Sequence, residues 1–179
     1  MGAPKALLPI GDESFLAHAC RVLARPGIGA VVAVIGAGAN QVRAESGASD
    51  EVTLVANERW QEGMLSSVWR GLDAAEALGA EAVLIHPVDH PRIAPGTVDR
   101  VVAALEQGAF AAVPTHQGRR GHPGGFGHEA LRALRAAPLD RGARAVLEAH
   151  AERVVHVEGD AGCVVGINTK EQYRQLMGD

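Results

Sequence analysis

Short apolar runs rich in β-branched residues alternate along this sequence with longer segments of helical periodicity. The apolar runs occupy residues 30–35, 52–56, 82–86, 110–114 and 154–157, and the amphipathic segments occupy residues 14–23, 65–78, 97–105, 129–135, 142–149 and 170–177. Regular alternation of this kind is typical of an α/β domain with a mainly parallel sheet. The run 82–86 is apolar throughout, which indicates a strand covered by helices on both faces. We therefore predict a three-layer α/β fold.

The composition fits one reduced globular domain. The chain has 179 residues and no low-complexity linker, so we predict a single domain over residues 1–179. A formal net charge of −4 and 3% aromatic residues argue against a nucleic-acid partner. Two cysteines make neither a disulfide framework nor a four-thiolate zinc site. Because no apolar run could span a bilayer and no signal peptide is recognised, we expect a cytoplasmic protein without a membrane partner.

The first residues, 1–5, form a loop-like stretch that leads directly toward a helical segment. A parallel α/β domain normally begins with a strand. We therefore expect the first strand of the sheet to be absent from this sequence.

Two oxygen-bearing side chains are candidates for a metal site. Asp89 follows the apolar run 82–86, where it could hold Mg²⁺ or cap a turn, and the two interpretations are about equal. His86 and His90 flank it and raise a zinc alternative, which is less favoured than magnesium. Asn168 precedes the last helical segment, so its carbonyl oxygen could ligate a metal or cap that helix, the commoner role.

Two segments could bind anions. A turn at Gly63 opens the helical segment 65–78, and the free N–H groups at such a start attract anions, although an ordinary capped helix is more common. Lys5 lies in a Gly-Ala-Pro-Lys loop, where it suits phosphate as a point charge or is a solvated surface lysine. Trp60, just before the turn at Gly63, is interpreted as a packing residue rather than a platform for a base.

Cationic side chains collect in the glycine-rich segment 117–127. This segment contains Arg120 and His122 and is too polar for a core, so we predict a loop over a site. Arg144 could join these residues, or could form an ion pair with Asp140 at helical spacing.

In order along the chain, these motifs resemble the MobA-like nucleotidyltransferases of the molybdenum cofactor. The matching stretches are residues 1–9, 57–67, 89–91, 120–123, 140–144 and 166–171. Three blocks resemble the cytidylyltransferase branch more than the guanylyltransferase branch: Pro-Lys, Asn…Trp…Gly-Met and Arg-Gly-His-Pro. Gly166 and Asn168 stand where the family has aspartates, and the family's first strand and nucleotide loop are missing.

The resemblance implies a Rossmann-like nucleotidyltransferase fold and a reaction in which CMP passes from CTP, rather than GMP from GTP, to the terminal phosphate of a molybdopterin-type cofactor. Pyrophosphate is released, Mg²⁺ is the expected cofactor, and a molybdenum enzyme is a candidate partner. The implied roles are catalysis for Lys5 and Asp89; nucleotide binding for Gly2, Lys5, Asn57, Gly63 and Ser67; acceptor binding for Arg120, His122 and Arg144; and metal binding for Asp89 and Asn168.

Three alternatives remain open. One is a sugar- or polyol-phosphate nucleotidyltransferase of the same fold, and another is a non-catalytic chaperone that binds the molybdenum cofactor. A Rossmann-type dehydrogenase is disfavoured because the turn at residues 36–40 lacks the full G-x-G-x-x-G fingerprint and is interpreted as a plain turn.

Overall fold

The fold is described by a computed structural model for residues 4–139 and 141–178. The strands are β1 (Pro9–Ile10), β2 (Glu13–Ser14), β3 (Val31–Ile35), β4 (Val52–Ala56), β5 (Val83–Ile85), β6 (Ala111–His116), β7 (Arg119–Arg120), β8 (Gly124–Phe126) and β9 (Val154–Glu158). The helices are α1 (Phe15–Leu23), α2 (Ala39–Glu45), α3 (Met64–Ala77), α4 (Pro95–Glu106), α5 (His128–Ala136), α6 (Gly142–Ala149) and α7 (Lys170–Gly178). Short 3₁₀ turns occur at Lys5–Leu7, Trp60–Glu62, Ala151–Arg153 and Ala161–Val164. Each predicted strand and helix has its counterpart among these elements.

The strands β3 to β9 form a mixed sheet in two parts, and β1 and β2 pair with each other as a short antiparallel hairpin. β3 and β4 pair in parallel. The second part has the order β5–β8–β6–β7, and β9 adds to β6 in parallel. Within it β5, β6 and β9 run in one direction, and β8 runs against them. The predicted α/β architecture is confirmed, with an antiparallel strand between β5 and β6 that the sequence pattern did not predict.

Helices α1 and α3 hold the two parts of the sheet together from opposite faces. The apolar side of α1 packs with Ala33 of β3 and with Leu84 of β5. On the other face, α3 contacts Val34 of β3 and packs with Val83 of β5. Among residues 4–139 and 141–178, no strand pairing joins β3 or β4 to the part of the sheet that contains β5.

The glycine-rich segment 117–127 is not simply a loop over a site, and that prediction is wrong for its second half. β8 is buried between β5 and β6, where Gly125 lies opposite both Leu84 and Ala112. A Cβ atom at Gly125 would lie 2.7 Å from Cγ1 of Val101 on α4. Glycine is required here because α4 packs directly against the strand backbone.

The largest apolar cluster lies where α3, α5 and α6 cover β6 and β8. Leu65, Leu134 and Phe126 are almost completely buried in it. The indole Nε1 of Trp69 donates a hydrogen bond of 2.8 Å to the carbonyl oxygen of Leu134, which joins α3 to α5. Within the described residues, no helix combines the length and apolar character needed to cross a membrane.

Candidate active site

Three side chains from distant parts of the chain converge beyond the carboxyl end of β5. Asp89 follows β5, Lys5 lies in the first 3₁₀ turn, and Asn168 comes just before α7. The Lys5 ammonium group donates to Asp89 Oδ2 at 3.0 Å and to Asn168 Oδ1 at 2.6 Å. The amide of Ile167 donates to the Asp89 carbonyl oxygen at 2.7 Å and keeps Asn168 beside Asp89. A positive charge therefore lies between two oxygen atoms from different segments.

The two oxygens that hold the Lys5 ammonium group also suit a hard divalent cation. A carboxylate and an amide carbonyl are ligand types that Mg²⁺ and Mn²⁺ accept. No group of three or more His, Cys, Asp or Glu side chains in the described part of the chain is placed to hold a metal ion. An ion at Asp89 and Asn168 would therefore need further oxygens from water or from substrate phosphates.

Three histidines cluster next to Asp89. The ring centroids of His90 and His122 are 4.6 Å apart, and His86 lies 6.4 and 6.5 Å from them. Burial lowers the pKa of His86 and of His122 to about 4 and also lowers the pKa of His90. The Nδ1 atoms of His86 and His90 are buried without a hydrogen-bond partner. At neutral pH the three histidines therefore present uncharged polar groups. The zinc alternative gains no support, because these histidines and Asp89 do not form a metal-binding group among the described residues.

A hydrogen-bonded loop joins the end of β4 to the start of α3. The buried Asn57 donates from Nδ2 to Ser66 Oγ at 2.9 Å and to Ser67 Oγ at 3.0 Å, and its Oδ1 accepts from the amide of Arg59 at 3.0 Å. Gly63 has a φ of +108°, which favours glycine at the turn into α3. Asn57 thus braces the loop, whereas the hydroxyl of Ser67 keeps a hydrogen that it can donate to a ligand.

The turn after β3 links this loop to the group formed by Lys5, Asp89 and Asn168, which we call the Lys5 centre. A Cβ atom at Gly36 would lie 2.7 Å from Cβ of Trp60, and one at Gly38 would lie 3.1 Å from Cγ of Pro4, which precedes Lys5. From its sequence, this segment is interpreted as a plain turn. Its position after a predicted strand was the one signal of a functional location, because ligands of open α/β sheets bind at the carboxyl ends of strands.

The predicted acceptor residues are not all brought together. His122 lies in the histidine cluster, and Arg120 is exposed on β7, two residues before it. Arg144 is 85% exposed, and its Nε donates to Glu148 Oε1 at 2.7 Å, an i,i+4 ion pair on α6. Gly2, predicted to bind nucleotide, and Asp140, the alternative partner of Arg144, lie outside the described residues.

Comparison with known proteins identifies the family. Residues 1–154 match the MobA-like NTP transferase domain. The chain is 40% identical over 118 residues to a bifunctional enzyme IspD/IspF from Rhizorhabdus wittichii. This alignment covers 63% of this chain and 28% of that protein. It is 35% identical over 121 residues to a 2-C-methyl-D-erythritol 4-phosphate cytidylyltransferase from Streptomyces avermitilis, covering 63% of this chain and 46% of the relative. The chain thus spans less than half the length of these two relatives.

Solved structures show the same fold. Rv0371c from Mycobacterium tuberculosis H37Rv superposes with a TM-score of 0.82 at 24% identity, covering 100% of this chain and 91% of that one. A manganese complex of the same protein has a TM-score of 0.77 at 25% identity, covering 99% and 94%. With a family match over most of its length, this chain belongs to the MobA-like NTP transferase domain family.

Proposed function

We propose that this chain transfers CMP from CTP to the terminal phosphate of a molybdopterin-type cofactor and releases pyrophosphate, with Mg²⁺ as the cofactor and the cytoplasm as the location. The observation that carries the proposal is the Lys5 ammonium group between the oxygens of Asp89 and Asn168. These groups meet at the strand ends where open α/β sheets bind ligands. A lysine and a cation-binding carboxylate together suit the charge of a polyphosphate.

The reaction needs no protein nucleophile. An oxygen of the acceptor phosphate attacks the α-phosphorus, and the bond from that phosphorus to the α–β bridging oxygen breaks, so pyrophosphate leaves with the bridging oxygen. Catalysis of such a transfer rests on positioning and on charge neutralisation. When bound, Mg²⁺ would stabilise the negative charge on the triphosphate. Asp89 and Asn168 are the residues that would hold it.

Lys5 would act in two states. Before substrate binds, its ammonium group neutralises Asp89 and satisfies the Asn168 carbonyl oxygen. With a divalent ion held by Asp89 and Asn168, the Lys5 ammonium group would be repelled from these oxygens and could turn to the incoming phosphates. Lys5 would then neutralise triphosphate charge, as the family resemblance implies. The ammonium group would thereby become available to phosphates only after it has left the oxygens of Asp89 and Asn168.

The remaining predicted residues divide into two sides of this centre. Gly63 and Ser67, with Asn57 bracing their loop, would line the nucleotide pocket on the β4 side. Arg120 and His122 would meet the acceptor on the side of β7 and β8. We assign Arg144 and Gly2 to the acceptor and the nucleotide, respectively, on the resemblance alone, and a molybdenum enzyme remains a proposed partner.

A second candidate acceptor is a polyol phosphate. The observation that favours it is the 35% identity to a 2-C-methyl-D-erythritol 4-phosphate cytidylyltransferase. The same chemistry applies to either acceptor, since both present a terminal phosphate to the α-phosphorus. The acceptor pocket, not the Lys5 centre, would decide between them.

The test is pyrophosphate release with a panel of CTP and GTP against molybdopterin-type, polyol-phosphate and sugar-phosphate acceptors. We expect activity with CTP and a molybdopterin-type acceptor, and its loss by roughly a thousand-fold in Asp89→Ala. Asp50→Ala, an exposed carboxylate in the loop before β4, is the matched control and should leave the rate unchanged. Cofactor binding without any metal-dependent triphosphate binding would favour the chaperone instead, and an unchanged rate in Asp89→Ala would contradict the assigned site.

A further inference from the structure

Two large apolar side chains are exposed beside the candidate active site. Trp60 is 43% exposed in the 3₁₀ turn after β4, and Met64 is 68% exposed at the first position of α3. Both lie on the loop that Asn57 braces. Trp60 is interpreted from the sequence as a packing residue, but in the structure the side chain keeps much of its surface in solvent while its Cβ lies against Gly36.

The loop holds Trp60 in place although the side chain is not buried. Asn57 ties the residues on both sides of the 3₁₀ turn through its hydrogen bonds to Ser66 and to the amide of Arg59. The guanidinium group of Arg59 also pairs with Glu62, at 2.7 and 2.6 Å, across the turn. An exposed aromatic group on a rigid support loses little conformational entropy when a ligand covers it.

The position of Trp60 is continuous with the Lys5 centre. Trp60 lies against Gly36, and Gly38 of the same turn lies against Pro4, which precedes Lys5. Lys5 is thus connected to Trp60 through this turn, and Asp89 lies next to the histidine cluster. A nucleoside triphosphate has the matching polarity, because its phosphates carry the charge and its base is a flat, weakly polar ring.

We infer that Trp60 and Met64 form a platform on which the base of the nucleoside triphosphate stacks. This inference rests on the proposed function and adds the residues that recognise the ring. Stacking accepts any base, because every base has a π face, and the thioether of Met64 adapts to the ring edge. The platform therefore contributes affinity for the nucleoside part, while choice among bases falls to the polar groups of the loop.

Fluorescence tests the contact directly, because the chain has two tryptophans. In Trp69→Phe, Trp60 is the sole tryptophan; Trp69 itself is partly buried against the largest apolar cluster, and its Nε1 donates to the Leu134 carbonyl oxygen. Titration with CTP in the presence of Mn²⁺ or Mg²⁺ should quench or shift the Trp60 emission, and inorganic triphosphate should not. Equal responses to both ligands, or none to CTP that binds by dialysis, would overturn the inference.

Affinity measurements on the chain with both tryptophans give a second test. Wild type should bind CTP more tightly than inorganic triphosphate, and Trp60→Ala should weaken CTP binding by roughly 5- to 100-fold, toward the value for triphosphate. Trp60→Phe should restore most of the loss. Leu78→Ala removes a 56% exposed side chain at the far end of α3 and is the matched control.

The outcomes separate this inference from the proposed function. If neither CTP nor inorganic triphosphate binds, the proposed function is wrong, and the base platform that rests on it is wrong as well. If both bind equally in wild type and Trp60→Ala changes nothing, the platform is wrong while the phosphate site stands. If Trp60→Ala raises the KM of the acceptor and not that of CTP, the base assignment is overturned.

Discussion

Replacing Lys5 by Met should tighten the binding of a divalent ion alone and weaken the binding of nucleoside triphosphate. In the free protein the ammonium group occupies the oxygens of Asp89 and Asn168, at 3.0 and 2.6 Å, so an entering ion must displace it. A partly exposed ion pair of this kind is worth about 1 kcal/mol. Removing that competition corresponds to about fivefold tighter metal binding.

The triphosphate should respond in the opposite direction. Loss of a charge-assisted hydrogen bond from Lys5 to a phosphate costs roughly 1.5–3 kcal/mol, or roughly 10- to 100-fold in affinity. Titration of Mn²⁺ without nucleotide, followed by titration of CTP at saturating Mn²⁺, measures the two effects separately. Lys170→Met is the control, because Lys170 is the other lysine of the chain and lies exposed at the start of α7.

The opposite signs are the signature of a lysine that competes with the metal and assists the phosphate. Weaker binding of both ligands in Lys5→Met would mean that Lys5 supports the ion rather than displacing it. If the variant binds Mn²⁺ as wild type does, the ion does not use Asp89 and Asn168. The same titration on Asp89→Asn should abolish specific Mn²⁺ binding, which checks that the measured site is this one.

Three further predictions concern the fold and the buried histidines. Gly125→Ala should lower the free energy of unfolding by about 1–3 kcal/mol, because its Cβ would lie 2.7 Å from Cγ1 of Val101. Gly29→Ala is the control, because a Cβ atom at that position meets no atom within 4 Å. Equal urea midpoints for the two variants would contradict this packing argument. The amide of Val34 points away from β4, toward the edge of β3 that has no strand partner among the described residues. It should therefore exchange hydrogen faster than the amide of Ala33, and similar rates would indicate a partner on that edge. Burial lowers the pKa of His86 from 6.5 to about 4, so the unfolded chain binds more protons than the folded chain between these pH values. His86 alone should therefore contribute a fall in stability on the order of 3 kcal/mol as the pH drops through this range, and urea titrations of His86→Gln should show a shallower fall than those of wild type.

The main strands and helices could be predicted because they obey local rules. β3, β4 and β9 are short β-branched runs, and each helix presents one apolar face, so periodicity alone locates them to within a few residues. β8 could not be predicted in this way. Two of its three residues are glycine, which is depleted in strands, and it forms a strand because β5 and β6 pair with its backbone while α4 packs on it.

The residue types of the site could be predicted from the sequence, but the contacts between them could not. Asp89 was identified from a local feature, a carboxylate just after a buried strand. Its contact with Lys5 spans 84 residues, and the contact between Lys5 and Asn168 spans 163. Such contacts depend on the path of the whole chain, which the family resemblance supplied and the residue pattern did not.

Asn168 shows why this distinction matters for mechanism. From the sequence, its commoner role was to cap the last helix, but the Thr169 hydroxyl accepts the capping bond from the amide of Gln172 at 3.1 Å. That leaves the Asn168 side chain free to bind the Lys5 ammonium group. An aspartate here would place two carboxylates around one lysine and would hold a divalent ion more strongly before any nucleotide arrives. Asn168→Asp should therefore bind Mn²⁺ alone more tightly than wild type, and unchanged binding would remove Asn168 from the proposed ligand set.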